Sequence, residues 1–90
     1  MNPEIGSLLN QALEALRNSN LEAAELYLKQ VLSLEPNNPD ALRFLGVVAA
    51  QRAQYENAKA YFLATIQAAP EYAVAHSNLG NVYTKLRQFD

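Results

Sequence analysis

One offset in the sequence constrains this chain more than its composition does. Prolines, alanines and glycines recur 34 residues apart, as Pro36 and Pro70, Ala24 and Ala58, and Gly46 and Gly80. This is the period of a helix-turn-helix repeat. A unit of that size cannot bury its apolar face alone, so neighbouring units must stack and share one core. The period therefore predicts a stack of helix pairs whose surface serves binding rather than catalysis.

Composition and net charge limit the kinds of partner, metal site and location that are expected for this chain. The chain has 90 residues, of which 50% are hydrophobic and 18% are charged, and this is typical of a soluble globular protein. A net charge of -2, with Lys29, Lys59 and Arg52 scattered among acids, argues against nucleic acid as a partner. Cysteine is absent, which excludes disulfides and thiolate metal sites. No apolar run is long enough to cross a membrane, and residues 1–5 do not resemble a leader, so a cytoplasmic location is the default.

Apolar residues at helical spacing predict an all-α chain of five helices. The expected helices run from Pro3 to Asn18, from Ser19 to about Leu34, from Pro39 to the turn at 51–54, from Tyr55 to the residue before Pro70, and from Ala73 to about Arg87. Asn2 and Asn38 are expected N-caps, each followed by a proline at the first helical position. Ser19 is the expected N-cap of the second helix, with Glu22 completing a capping box.

Small residues are expected where paired helices approach closely. The spacing predicts that Ala12 faces Ala24 and that Gly46 faces Ala58. Larger apolar side chains are expected to fill the space between successive layers; these are Leu28, Leu32, Phe62 and Ile66.

Two segments resemble a known family. Residues 78–83 (NLGNVY) resemble the opening of a tetratricopeptide repeat, and residues 55–62 (YENAKAYF) resemble its second helix. The resemblance implies one all-α domain over residues 1–90, a right-handed superhelical stack of five antiparallel helices with about two and a half repeats. The implied repeats are 5–38, 39–72 and a partial repeat 73–90, and a further helix is expected from Phe89 onward. The first repeat departs most, with Gln11 and Ala12 in place of Leu-Gly and Leu21 in place of an aromatic residue.

In this family the first helix of each repeat lines a concave groove that binds peptides. Helical spacing then assigns a set of mixed apolar, amide and basic residues to that groove. The expected peptide-binding residues are Leu9, Asn10, Leu13, Arg17, Arg43, Phe44, Val47, Gln51, Ser77, Asn78, Asn81 and Lys85. The basic residues suit a carboxylate, and the asparagines suit the backbone of an extended peptide.

Two specialised forms of this groove occur in the family, a carboxylate clamp and an asparagine ladder. A clamp for terminal carboxylates would need polar groups where Leu9 and Leu13 stand, so this form is not favoured. Asn10 and Asn78 match the asparagine ladder that grips peptide backbone in O-linked N-acetylglucosamine transferases, whereas Phe44 interrupts the series. Asparagine is also common at this position in the family, so a generic role is favoured over a ladder.

The sequence predicts neither catalysis nor a cofactor. His76 is the only histidine, so a half-buried packing role is favoured over a metal site. Ser77 follows it directly, and neighbours on a helix point about 100° apart, so a nucleophile is not expected. The tyrosines are expected mainly between helices.

One function is favoured, and two alternatives stand beside it. The first is a protein-interaction module that binds an extended or helical peptide segment in the groove. The second is the substrate-recruiting segment of a larger enzyme, such as an O-GlcNAc transferase-like glycosyltransferase, with catalysis outside these residues. The third is a homodimer, formed through the groove or through the C-terminal face, where Tyr83, Leu86 and Phe89 are expected to lack a covering helix.

Overall fold

The computed structural model describes the backbone of residues 2–88 and the side chains of residues 2–87. Within that range the chain forms five α-helices. They are α1 (Pro3–Arg17), α2 (Leu21–Leu34), α3 (Pro39–Gln51), α4 (Tyr55–Ala68) and α5 (Ala73–Gln88). The expected all-α stack of about two and a half repeats is confirmed, and the helix bounds lie within a residue or two of those predicted. The repeat boundaries stay predictions, and the helix expected from Phe89 lies outside the described residues.

Asparagine side chains cap the first three helices. Asn2 Oδ1 accepts a hydrogen bond from the backbone N–H of Glu4 at 2.9 Å, and Asn38 Oδ1 accepts one from Ala41 at 2.9 Å. Asn38 is buried, and its Nδ2 donates to Glu35 Oε1 at 3.0 Å. Both caps are the predicted ones, and the proline that follows each has no backbone N–H left to satisfy.

The predicted cap of α2 is wrong. Asn20, not Ser19, is the N-cap, and its Oδ1 accepts a hydrogen bond from Ala23 N at 3.1 Å. Ser19 has a left-handed backbone with φ of 59°, whereas an N-cap residue normally has negative φ in the extended region. Ala53 has the same φ of 59°, so the turns within the two repeats share one conformation at positions 34 residues apart.

The helices form two layers. In the inner layer α1 contacts α3 and α3 contacts α5, while α2 and α4 lie on the other side. Within residues 2–88, α2 and α4 do not approach each other closely, and each packs instead on helices of the inner layer. Every other helix contacts α3. The stack is elongated, with extents of 42 × 28 × 18 Å.

The hydrophobic core contains both the small residues expected at close helix contacts and the large residues expected to fill the gaps between helices. Ala12, Ala24 and Leu28 are fully buried in one cluster with residues of α1, α2 and α3. Phe62 and Ala58 are buried in a second cluster with residues of α3 and α5. The other two predicted fillers, Leu32 and Ile66, are only partly buried.

Gly46 lies against the ring of Phe62, and the expected contact of Gly46 with Ala58 stays a prediction. A Cβ atom built on Gly46 would lie 2.5 Å from Cε1 of Phe62, and the three nearest atoms all belong to that ring. The glycine therefore makes room for an aromatic ring that lies against the α3 backbone. The spacing of small residues could not show this, because a side chain on a helix leans back over the preceding turn.

Candidate functional site

A shallow groove runs along the inner layer between α3 and α5. Its volume is about 240 Å³. Apolar and aromatic side chains from α3, α4 and α5 line part of it, namely Val47, Ala50, Tyr55, Phe62 and Val82. Polar side chains also line it, namely Gln51, Asn78, Asn81 and Lys85. We call this the α3–α5 groove. It can hold one or two side chains of a ligand.

The groove contains part of the predicted peptide-binding set. Val47 and Gln51 come from α3, and Asn78, Asn81 and Lys85 come from α5. They meet because α3 and α5 stand at equivalent places in successive repeats and lie next to each other in the inner layer. Ser77 is exposed on α5 but does not line the groove.

The predicted residues of α1 lie apart from this groove. Leu9 is partly buried against the core, and Leu13 is also partly buried. Asn10 is exposed. Arg17 is exposed and forms an ion pair with Glu14 at 2.9 Å within α1. The structure therefore does not bring these residues together with those of α5.

Arg43 belongs to a hydrogen-bonded network between α3 and the start of α5. Its Nε donates to the hydroxyl of Tyr72 at 3.0 Å, and that hydroxyl donates to Asp40 Oδ1 at 2.7 Å. A terminal nitrogen of Arg43 also lies 3.5 Å from Asn78 Oδ1. Burial, followed by the hydrogen bond to Asp40, raises the pKa of Tyr72 above its ordinary value.

The guanidinium of Arg43 is also held by aromatic rings. Its Cζ lies 4.3 Å from the centroid of the Phe44 ring and 5.4 Å from that of Tyr72. Phe44 itself packs partly buried on the core. Arg43 therefore links α3 to Tyr72 and to Asn78 of α5, and a ligand carboxylate would have to compete with Tyr72 for the guanidinium.

Sequence reasoning missed the contributions of Tyr55, Phe62 and Tyr72 at this site. Tyr55 and Phe62 lie on α4, whereas the family resemblance assigns the groove to the first helix of each repeat. No sequence signal marked Tyr72, since its partners are 29 and 32 residues away.

A second cleft lies on the side of the stack opposite the α3–α5 groove, where residues of α2, α3 and α4 line it. Its volume is about 500 Å³, and charged residues at its rim pair with one another. Arg52 approaches Glu25 at 3.1 Å, and Lys29 approaches the same carboxylate at 3.5 Å. The hydrogen bond from Arg52 is the largest cause of the lowered pKa of Glu25. One carboxylate thus serves two cations, and the three charged residues that line the cleft leave a net charge of +1.

The described residues offer no further chemistry. His76 is exposed and its Nε2 lies 2.9 Å from the carbonyl oxygen of Pro70, so the half-buried position expected for it is wrong. No group of His, Asp and Glu residues among residues 2–87 could hold a metal ion. None of the described helices combines the length and apolarity that a membrane crossing requires.

Comparison with known proteins agrees with the repeat architecture. The sequence model of the tetratricopeptide repeat family matches residues 9–73. Tetratricopeptide repeat protein 37 of Xenopus laevis is 34% identical over 99% of this chain, and Superkiller complex protein 3 of Mus musculus is 33% identical over 94% of it. The chain spans only 6% and 5% of the lengths of these two proteins.

Solved structures share the fold. A mutant of the O-GlcNAc transferase from Thermobaculum terrenum matches 89% of this chain with a TM-score of 0.86 and 34% identity, and the match covers 15% of that protein. MamA from Desulfovibrio magneticus matches 99% of this chain with a TM-score of 0.88 and 27% identity, over 50% of its own chain. With its 34-residue period, its layered helix pairs and these matches, the chain belongs to the tetratricopeptide repeat family.

Proposed function

We propose that this chain binds an extended segment of another protein in the α3–α5 groove. The family fold is consistent with a protein-interaction module, and the groove supports this particular mode of binding. The observation that carries the proposal is an apolar floor bordered by carboxamides and an ammonium group, all on neighbouring helices. A ligand side chain would enter over Val47 and Val82, where burying it is favourable.

The polar border suits a peptide backbone. Asn78, Asn81 and Gln51 each carry an acceptor and two donors, so they can pair with both the N–H and the C=O groups of an extended chain. Lys85 lies at the same groove and is exposed, and its ammonium would favour an acidic residue beside the apolar one. The preferred ligand is therefore an extended acidic peptide with one large apolar side chain.

The expected affinity is modest. A groove that holds one or two side chains offers few contacts to offset the entropy lost on binding. We expect a micromolar complex, with a binding free energy of about -8 kcal/mol.

A peptide array tests this proposal. Peptides that pair one apolar residue with neighbouring acids should bind the chain, and Asn81→Ala and Lys85→Gln should each weaken them about fivefold to tenfold. Asn10→Ala and Arg17→Gln are the matched controls, because they remove the same chemistry from α1 outside the groove. Equal losses in the control variants, or none in the groove variants, would place binding elsewhere.

A second candidate rests on the likeness to the Thermobaculum terrenum O-GlcNAc transferase, at 34% identity. In this case the groove recruits the substrate of a larger enzyme whose catalytic residues lie outside residues 1–90. Exchanging this chain for the matching segment of that transferase would test the idea. Modification of a protein substrate should continue in the chimera and fall with Asn81→Ala, whereas an unchanged rate in the variant would contradict it.

We also retain the homodimer as a prediction. Light scattering across concentration measures it directly, and Leu13→Ser with Val47→Ser should dissolve a dimer that forms through the inner layer. A dimer that persists in this double variant does not use that surface.

A further inference from the structure

The cleft lined by α2, α3 and α4 has a polar end and an apolar remainder. We call it the outer cleft; its volume is about 500 Å³, and its lining lies within residues 25–64. The apolar lining comes from α3 and α4. The polar end is formed by Glu25 and Lys29 of α2, Arg52 after α3, and Gln54 and Asn57 at the start of α4.

The cations of the outer cleft outnumber its acids. Glu25 Oε1 accepts a hydrogen bond from a terminal nitrogen of Arg52 at 3.1 Å, and Glu25 Oε2 lies 3.5 Å from Lys29 Nζ. Both oxygens of the one carboxylate that lines the cleft therefore already face a cation. The side chains of Arg52 and Lys29 are still 26% and 59% exposed, so a ligand can reach both of them.

Arg52 has donors left for a second anion. A guanidinium carries its N–H donors in a planar fork that matches a carboxylate. Within residues 2–87, one terminal nitrogen of Arg52 bonds to Glu25, and the other guanidinium nitrogens donate to no protein atom. Because Glu25 already fixes the guanidinium, a ligand carboxylate that binds these nitrogens orders little that was mobile before.

The three charges are not part of the repeat pattern. The residues 34 positions after Glu25, Lys29 and Arg52 are Lys59, Leu63 and Leu86, which cannot form the same cluster. Stacking of the repeats therefore does not require these charges. They are a property of this one cleft.

Charge and shape together specify the ligand. One excess positive charge matches one carboxylate, whereas a polyanion needs many cations on one face and would meet a chain of net charge -2. From Asn57 at the polar end to Ala64 in the apolar part, α4 rises about 10 Å. Alternate residues of an extended chain share one face about 7 Å apart, and the length of a glutamate side chain covers the rest.

We propose that the outer cleft binds an extended segment of a second protein in which a glutamate follows an apolar residue by two positions. The glutamate carboxylate pairs with Arg52 and Lys29, and the apolar side chain lies against Tyr61 and Ala64. This site is on the side of the stack opposite the α3–α5 groove, so it does not depend on the function proposed for that groove.

The probe is the peptide GSLSESG with blocked ends, which places a leucine two residues before a glutamate. Two further peptides have glutamine in place of the glutamate or serine in place of the leucine. Hexanoate is the fourth probe, because it joins a carboxylate to an apolar chain without a peptide. Amide NMR shifts of the isotope-labelled full chain report binding, and they separate the outer cleft, at Val48 and Ala60, from the groove, at Asn78 and Val82.

The parent peptide should shift the amides of the outer cleft. The glutamine peptide should bind about tenfold more weakly, and the serine peptide about fivefold more weakly. In the protein, Arg52→Gln should weaken the parent peptide about tenfold and the exposed Lys29→Gln about threefold. Lys59→Gln is the matched control and should bind normally, because Lys59 pairs with Glu56 at 3.2 Å and does not line the cleft.

Glu25→Gln separates a binding role of this cluster from a structural one. The glutamine keeps an oxygen that can accept from Arg52, so the guanidinium stays in place while one negative charge leaves the cleft. The parent peptide should then bind about threefold more tightly, since repulsion between two like charges a few ångströms apart in water has about this effect. A purely structural ion pair would give no gain.

Five results would overturn the proposal. Shifts confined to the groove amides would place the peptide there, and no shift in the outer cleft would leave the cleft without a ligand of this kind. Equal binding of the glutamate and glutamine peptides, or no gain in Glu25→Gln, would remove the carboxylate from recognition. Equal losses in Arg52→Gln and Lys59→Gln would mean unspecific attraction. Hexanoate that binds as tightly as the peptide would assign the cleft to a small carboxylate instead of a protein segment.

Discussion

Gly46→Ala adds one methyl group at the tightest contact between α3 and α4. The added Cβ would lie 2.5 Å from Phe62 Cε1 and 2.8 Å from Cδ1 and Cζ, so the ring must move. Phe62 is only 1% exposed, and its buried neighbours limit that movement. Overpacking of this kind costs about 1–3 kcal/mol. Alanine also gains about 1 kcal/mol over glycine in a helix interior. The variant should therefore lose up to about 2 kcal/mol of unfolding free energy.

Gly80→Ala separates the two effects. Gly80 has the same place in its helix, but a Cβ there meets nothing within 4 Å. This variant should keep the helical gain and avoid the cost of overpacking. The difference between the two variants, about 1–3 kcal/mol, then measures the clash alone.

Urea unfolding followed by far-ultraviolet circular dichroism measures these free energies. A double-mutant cycle completes the test, because Gly46→Ala with Phe62→Leu recreates the Ala12 and Leu28 pair of the first repeat. The double variant should recover stability, with a coupling energy of about 0.5–3 kcal/mol. The reasoning is refuted if Gly46→Ala gains as much stability as Gly80→Ala, or if the cycle shows no coupling.

Three further predictions follow from hydrogen bonds and ion pairs. The Gln54 side chain makes no capping hydrogen bond to α4, whereas Asn20, 34 residues earlier, caps α2. Gln54→Asn should therefore raise the free energy of unfolding, measured in urea, by about 0.5–1 kcal/mol. No gain would mean that the N-terminus of α4 is already satisfied. The raised pKa of Tyr72 gives stability that is fully present below the unfolded value of about 10 and is lost as pH rises through the folded value. Tyr72→Phe should cost about 1 kcal/mol near neutral pH and remove this alkaline loss in thermal melts, and an unchanged alkaline loss would assign it to another group. The lowered pKa of Glu25 gives stability that is present above the unfolded value of about 4.3 and is lost as pH falls through the folded value. Arg52→Gln should cost at most about 1 kcal/mol at neutral pH and nothing in acid, and a cost that persists in acid would point to lost packing instead.

Much of the fold could be predicted because its determinants are local. The 34-residue period, the prolines and the apolar stripes predict where helices begin and end, and each depends on residues within one or two turns. Asn38 was predicted as a cap for this reason. The predicted role of Ser19 as the N-cap of α2 was wrong, because Asn20 is an equally good capping residue and the conformation of the turn decides between the two.

The site was harder to predict because its contacts join distant residues. Helical spacing placed Val47 and Asn81 on inward faces, and the structure brings both to one groove. It could not reveal that Tyr72 holds Arg43, since that contact depends on how α5 crosses α3. Nor could it show that Leu9 and α5 belong to different parts of the surface. Such relations depend on distances between helices, which a periodic pattern does not specify.

The contacts that α3 makes with every other helix have a consequence for folding. In a linear array, each unit can unfold from an end while the rest remains intact. Here the loss of α3 would uncover all four neighbours at once, whereas the loss of α1 or α5 would expose mainly one side of the stack. Amide hydrogens of α3 should therefore exchange only through global opening, and those of α5 through local opening.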